Sequence, residues 1–180
     1  MPNFPLRVIF ISLSFFFANS SSRLRSAIRE SAARQQIMEN KDFKASVFHA
    51  ENDFYIGVSP SGHAVSIDTN HERNAAPTPV ELLMIAVGAC TAVDVVSILK
   101  KKRQDVTDYR VEVKGTRRDE HPRAFTKLEV HHIVRGRSVS SEAVEQAVKL
   151  SDEKYCSVAA TVRPAAEIVT TFEIVEEGDE

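Results

Sequence analysis

Two cysteines, Cys90 and Cys156, stand 66 positions apart in this chain of 180 residues. Two are too few for a disulfide framework, so each is either a small buried hydrophobe or a nucleophile. Cys90 lies about twelve residues, or roughly 18 Å, inside a segment that reads as an apolar helix. That depth is beyond the reach of the helix N-terminus, whose effect on a thiol fades within one turn. Burial there would raise its pKa. Cys156 follows Ser151-Asp152-Glu153-Lys154-Tyr155 and opens a new apolar turn, where free backbone N–H groups would favour a thiolate. Asp94, four residues after Cys90, shares its helical face; a carboxylate there raises a thiol pKa, so its expected role is a hydrogen bond within the core or across a dimer. His131 and His132 are adjacent on a strand and point to opposite faces, which argues against joint metal binding. With no CxxC, no HxxxH and no Gly-rich phosphate loop, neither zinc nor nucleotide is expected, nor any other cofactor.

The elements that must position these residues can be read in turn. Phe43 to Ala50, Asp53 to Ser59 and His63 to Asp68 are β-rich runs, and Ser59-Pro60-Ser61-Gly62 marks a hairpin turn between the last two. Thr69 to Pro77 is a loop. Thr78-Pro79-Val80-Glu81 sets Thr at an N-cap, Pro at N1 and Glu at N3, a capping box from which a helix runs to Lys100-Lys101-Lys102-Arg103. Over 25 residues that helix would be about 38 Å long. Leu82 to Val93 has no polar face, so it must be covered all round. One domain of this size offers one small sheet. A second copy of the chain is therefore expected on the other face, as an obligate homodimer, against the simpler arrangement of a core helix enclosed within one chain. Val106 to Arg117 and Phe125 to Val134 alternate with period two and form a hairpin. Ser138 to Lys154 carries Val144, Ala147, Val148 and Leu150 at helical spacing, capped by Ser140 or Ser141. A short apolar piece from Cys156 to Val162 and a last alternating strand, Ala165 to Val175, complete an α+β domain in which antiparallel strands surround one long apolar helix.

Composition bounds the partners. From Met38 onward 18 basic residues face 24 acidic ones, a formal −6, which argues against nucleic acid and anionic membrane as partners of the folded part. Half of the ten phenylalanines fall in the first 17 positions, and Val8 to Ala18 is an apolar run too short to span a bilayer. Arg23, Arg25, Arg29 and Arg34 follow in a Ser/Ala/Gln stretch. Residues 1–37 are thus expected to lie outside the fold and residues 38–180 to form it. A secretory signal, an organelle transit peptide and an upstream extension before Met38 compete for the first segment. The last, favoured because pattern and composition change together at Met38, implies a cytoplasmic protein; a genuine signal would imply export.

The sequence around the two cysteines resembles the OsmC/Ohr family of osmotically inducible and organic hydroperoxide resistance proteins. The words that carry the resemblance are Thr78-Pro79-Val80-Glu81-Leu82-Leu83, then Gly88-Ala89-Cys90-Thr91-Ala92-Val93-Asp94-Val95-Val96, then Lys154-Tyr155-Cys156-Ser157-Val158. The resemblance spans Phe43 to Val175 and implies an intertwined α+β homodimer with two sites at the subunit interface. It further implies a thiol-dependent peroxidase acting on organic hydroperoxides. Cys90 would attack the peroxide, Cys156 would condense with the resulting sulfenic acid, and a dithiol reductant, of which a lipoyl-type donor is one form, would reset the disulfide. The peroxidase members carry an acid directly after the helix-opening proline, paired with an arginine from the N-terminal strands. Here Val80 follows Pro79, Glu81 is occupied in the capping box, and Met38 to Glu72 contains no arginine, leaving Arg73 as the nearest substitute. The alternative implied by these departures is a dimeric binding protein with an apolar interface pocket and little peroxidase turnover.

Overall fold

The computed structural model describes residues 43–177; the expectation for residues 1–37 falls outside them. The chain divides into two compact units at Arg73/Asn74.

The first unit is an antiparallel sheet in the order β1-β2-β3, formed by β1 (Ser46–His49), β2 (Phe54–Val58) and β3 (Ala64–Asp68). The turn after β2 falls where Pro60 and Gly62 placed it. Gly62 adopts a φ of +83°, a left-handed conformation that side chains disfavour, and the turn closes through the Ser59 N–H donating to His63 O at 2.9 Å.

The second unit is built on α1 (Pro79–Lys101), a helix of 23 residues. Its start matches the capping box: Thr78 Oγ1 accepts from the Glu81 N–H, and Glu81 Oε2 accepts from the Thr78 N–H at 2.7 Å. Lys100 and Lys101 occupy the last turn, at the negative end of the helix dipole. Thr78→Ala removes the acceptor for the Glu81 N–H and should lower stability by about 1 kcal/mol, read as a shift of the urea midpoint at constant slope.

After α1 come β4 (Asp105–Arg117) and β5 (Phe125–Arg137), the expected hairpin. Then follow α2 (Ser141–Leu150), capped by Ser140, a π-helical turn (Ser151–Tyr155), α3 (Ser157–Val162) and β6 (Glu167–Glu176). Sheet order is β4-β5-β6, with β6 running parallel to β5, a direction that alternation alone does not specify. The helix expected from Ser138 to Lys154 is interrupted: the π-helical turn inserts an extra residue before Cys156.

One face of α1, carrying Val87, Gly88, Thr91, Val95 and Leu99, is buried. Gly88 lets α1 approach β4 closely, since a Cβ there would come within 3.1 Å of Val113 Cγ2. Two apolar clusters share this face. Val87 packs with Phe125, Leu128, Val130 and Ala166, while Val95 and Leu99 pack with Val134, Val139 and the inner side of α2. Between them lies a polar seam of Thr91 from α1, His132 from β5 and Ser151 from the π-helical turn. The opposite face of α1 is open. Ile85, Val93 and Val96 are exposed, and only 28 % of the apolar window of a helix long and hydrophobic enough to cross a bilayer is buried. The sequence demanded cover on every side, and residues 74–177 supply it on one.

Candidate functional site

Cys90 and Cys156 meet. Cys90 sits half-buried in mid-α1, Cys156 is 3 % exposed, both are free thiols, and they lie near enough for the Cys90 thiol to raise the pKa of Cys156. The packing of α3 and the π-helical turn against α1 brings them together.

Cys156 is the N-cap of α3. Its Sγ accepts from the Ala159 N–H at 3.4 Å, the expected helix-start geometry. The expected consequence, a favoured thiolate, is overturned. Burial pushes the Cys156 pKa up to about 11, the Cys90 thiol and the negative charge of Asp94 push the same way, and the single Ala159 amide opposes them without prevailing. A six-residue helix capped by a buried sulfur offers little to set against desolvation.

The backbone of Cys156 is tied as well. Its N–H donates to Ser151 O at 2.9 Å, the i→i+5 bond that closes the π-helical turn. Ser151, fully buried, donates its hydroxyl to Asp94 Oδ2 at 3.1 Å and lies 2.9 Å from Thr91 Oγ1. A serine hydroxyl has one hydrogen, so with Asp94 accepting it, Thr91 is the donor to Ser151. Asp94 therefore makes the core hydrogen bond expected of it. Ser151 was not legible in the sequence: it lies near the end of a segment that reads as one continuous helix, 60 residues from the Thr91 it meets.

His131 and His132 take opposite faces of β5, as expected. His131 Nδ1 pairs with Thr171 Oγ1 at 2.8 Å on the outer side. His132 is fully buried, its Nδ1 bonded to the Tyr109 hydroxyl, its Nε2 without a partner among the described residues. Burial, reinforced by the neighbouring His131, lowers its pKa to about 4 against a smaller opposing effect of Asp152. Among the described residues no group of three or more His, Cys, Asp or Glu is placed to hold a metal.

Arg73 does not serve as a free guanidinium. It donates Nε to Asp68 Oδ2 at 2.9 Å and Nη2 to Asp68 Oδ1 at 2.8 Å, donates again to the Asn52 carbonyl, and stacks 5.3 Å from the centre of the Phe54 ring. This fork on a buried carboxylate commits Arg73 to the first unit.

A groove of about 790 Å³ runs between residues 74–77, α1 at Met84 and Gly88, and β4 at Val111 and Val113. Cys90 does not line it: two residues beyond Gly88, it projects about 200° around the helix, onto the other flank. What borders Cys90 is the open apolar arc of α1, with Val93 71 % exposed and Leu83 38 %.

This pairing of a helix thiol with a buried capping thiol coincides with a recognised fold. The OsmC-like protein family model matches residues 71–171, a span that includes both cysteines. Protein YhfA of Escherichia coli (strain K12) is 46 % identical over 132 residues, covering 73 % of this chain and 98 % of YhfA. Among solved structures, a hypothetical protein from Aquifex aeolicus VF5 is similar with a TM-score of 0.69 at 33 % identity, covering 77 % of this chain and 100 % of that one. An organic hydroperoxide resistance protein OsmC from Legionella pneumophila is similar in fold, with a TM-score of 0.54 at 14 % identity over 73 % of this chain and 96 % of its own. Matched over both thiols by the family model and over nearly the whole of YhfA by sequence, the chain belongs to the OsmC-like family.

Proposed function

We propose that the protein is a thiol-dependent peroxidase for organic hydroperoxides. The observation that carries this reading is the proximity of Cys90 and Cys156, two thiols 66 residues apart in sequence that packing brings near enough for one to shift the titration of the other. The Cys90 thiolate attacks the outer oxygen of ROOH. The O–O bond breaks, Cys90 becomes a sulfenic acid, and the alkoxide leaves to take a proton as ROH. Cys156 then displaces hydroxide from the sulfenic sulfur, releasing water and closing the Cys90–Cys156 bond. A dithiol returns both cysteines to thiols and leaves as its own disulfide. Such a cycle suits a reducing compartment such as the cytoplasm.

A second copy of the chain completes the site in this reading. The exposed apolar arc of α1 borders Cys90, and a partner laid on that arc would cover it and roof the thiols with an apolar cleft selecting bulky peroxides over hydrogen peroxide. The fold neighbours named as organic hydroperoxide resistance proteins support the substrate class.

The rival reading is a dimeric binding protein with little turnover. Three observations favour it: Val80 stands where an acid is expected, Arg73 is held by Asp68, and the Cys156 thiol is protonated at neutral pH. One assay separates the two. With a dithiol reductant present, the wild type should consume cumene hydroperoxide rapidly and Cys90→Ser should not. Equally slow consumption by both would leave only the binding reading.

A further inference from the structure

We propose that Ser151 is a positioning residue, a joint that holds Cys156 at the height of Cys90 along α1 and so sets how readily the two sulfurs bond. The proposal rests on reading the two cysteines as a bond-forming pair and adds the group that controls the pairing.

The geometry points to Ser151 from two directions. Its backbone carbonyl carries Cys156 through the 2.9 Å bond that closes the π-helical turn. Its side chain anchors that turn to α1 at two positions, accepting from Thr91 at 2.9 Å and donating to Asp94 at 3.1 Å. Both α1 residues follow Cys90, one directly after it and one a full turn on. Cys90 and Cys156 are thus held through the same serine, one by way of its hydroxyl and the other by way of its carbonyl. Ser151 is fully buried, and the residue that the π-helical turn inserts lies between it and Cys156. Without the hydroxyl, the turn loses both of these polar ties to α1. The turn could relax to ordinary helical pairing, which would rotate Cys156 relative to Cys90.

The test does not need a peroxide. The protein is equilibrated with mixtures of oxidised and reduced dithiothreitol, and the Cys90–Cys156 bond is counted by thiol alkylation and intact mass. In that exchange one protein thiolate opens the cyclic disulfide of dithiothreitol and the second protein thiol displaces it. Two electrons and two protons pass to dithiothreitol, and the protein disulfide forms. Ser151→Ala should shift the midpoint ~10-fold toward the dithiol form, about 30 mV. Asp94→Asn keeps a carbonyl acceptor for the Ser151 hydroxyl and should remain within about twofold of wild type. Asp94→Leu, which removes the acceptor, should fall toward Ser151→Ala and supports the same conclusion should Ser151→Ala fold poorly. Midpoints for Ser151→Ala and Asp94→Leu equal to wild type overturn the proposal, as does a wild type that forms no bond at any ratio. A wild type that bonds normally here yet consumes no cumene hydroperoxide overturns the peroxidase reading alone.

Discussion

Closure of the Cys90–Cys156 bond should quicken about tenfold for each pH unit between pH 7 and pH 10, because the attacking sulfur must be a thiolate. The Cys156 thiol titrates at about 11. At pH 7 roughly one Cys156 in ten thousand is therefore ionised, and every unit of pH multiplies that fraction by about ten until the curve levels near the pKa. Burial is the largest cause, followed by the Cys90 thiol, with the Asp94 carboxylate acting in the same sense. Asp94→Asn removes the charge and keeps the hydrogen bond to Ser151, so its profile should level off at lower pH than the wild type. The measurement is an acid-quenched time course after one equivalent of cumene hydroperoxide. Mass spectrometry follows the sulfenic acid and the disulfide separately, so the first chemical step cannot be mistaken for the second. A wild-type rate that plateaus below pH 9 would mean that Cys156 attacks from an ordinary environment and that its burial is relieved once Cys90 is oxidised.

The features legible in the sequence are those that local chemistry dictates. Thr78, Pro79 and Glu81 specify a helix start because two side chains within four positions satisfy backbone donors and the proline removes another. Pro60 and Gly62 specify a turn, and the alternation through Tyr109-Arg110-Val111-Glu112-Val113 specifies a strand. The unbroken apolar run after Leu82 signalled a helix needing cover on both sides, and residues 74–177 cover one. Illegible features depend on partners distant in sequence. Ser151 is a helix-tolerant residue whose meaning comes from Thr91 and Asp94 on another element. Arg73 is committed by the Asn52 carbonyl, 21 residues back, together with the nearby Asp68, a loop closure that no periodicity marks. Cys156 shows both cases at once. Its position at a helix start was local and legible, whereas its pKa follows from burial and from Cys90 and Asp94, which the fold supplies.

Between pH 6.5 and pH 4 the wild type should lose about 3 kcal/mol more stability than a His132→Gln variant. His132 lies on β5 between Val130 and Val134, one from each apolar cluster, and Tyr109 reaches it diagonally from β4, where its own register partner is Val134. Desolvation at this position disfavours imidazolium, and the nearby His131 adds to that effect more than Asp152 relieves it. Above pH 6.5 the imidazole is neutral in both folded and unfolded chains, and its titration contributes nothing to stability. Below 6.5 the unfolded chain takes up a proton that the folded chain refuses until about pH 4, so stability is lost over that window as the pH falls. Glutamine can still pair with the Tyr109 hydroxyl but does not titrate. Carboxylates protonating over the same range affect both proteins alike, and the difference isolates His132. Urea midpoints at pH 7.5, 6, 5 and 4 should therefore show His132→Gln starting less stable and closing on the wild type as acid is added. Parallel losses would mean that the folded protein accepts the proton, through water reaching the unpaired Nε2. The polar seam between the two clusters would then be wet, and the neutral imidazole would be no part of what holds α1 against β5.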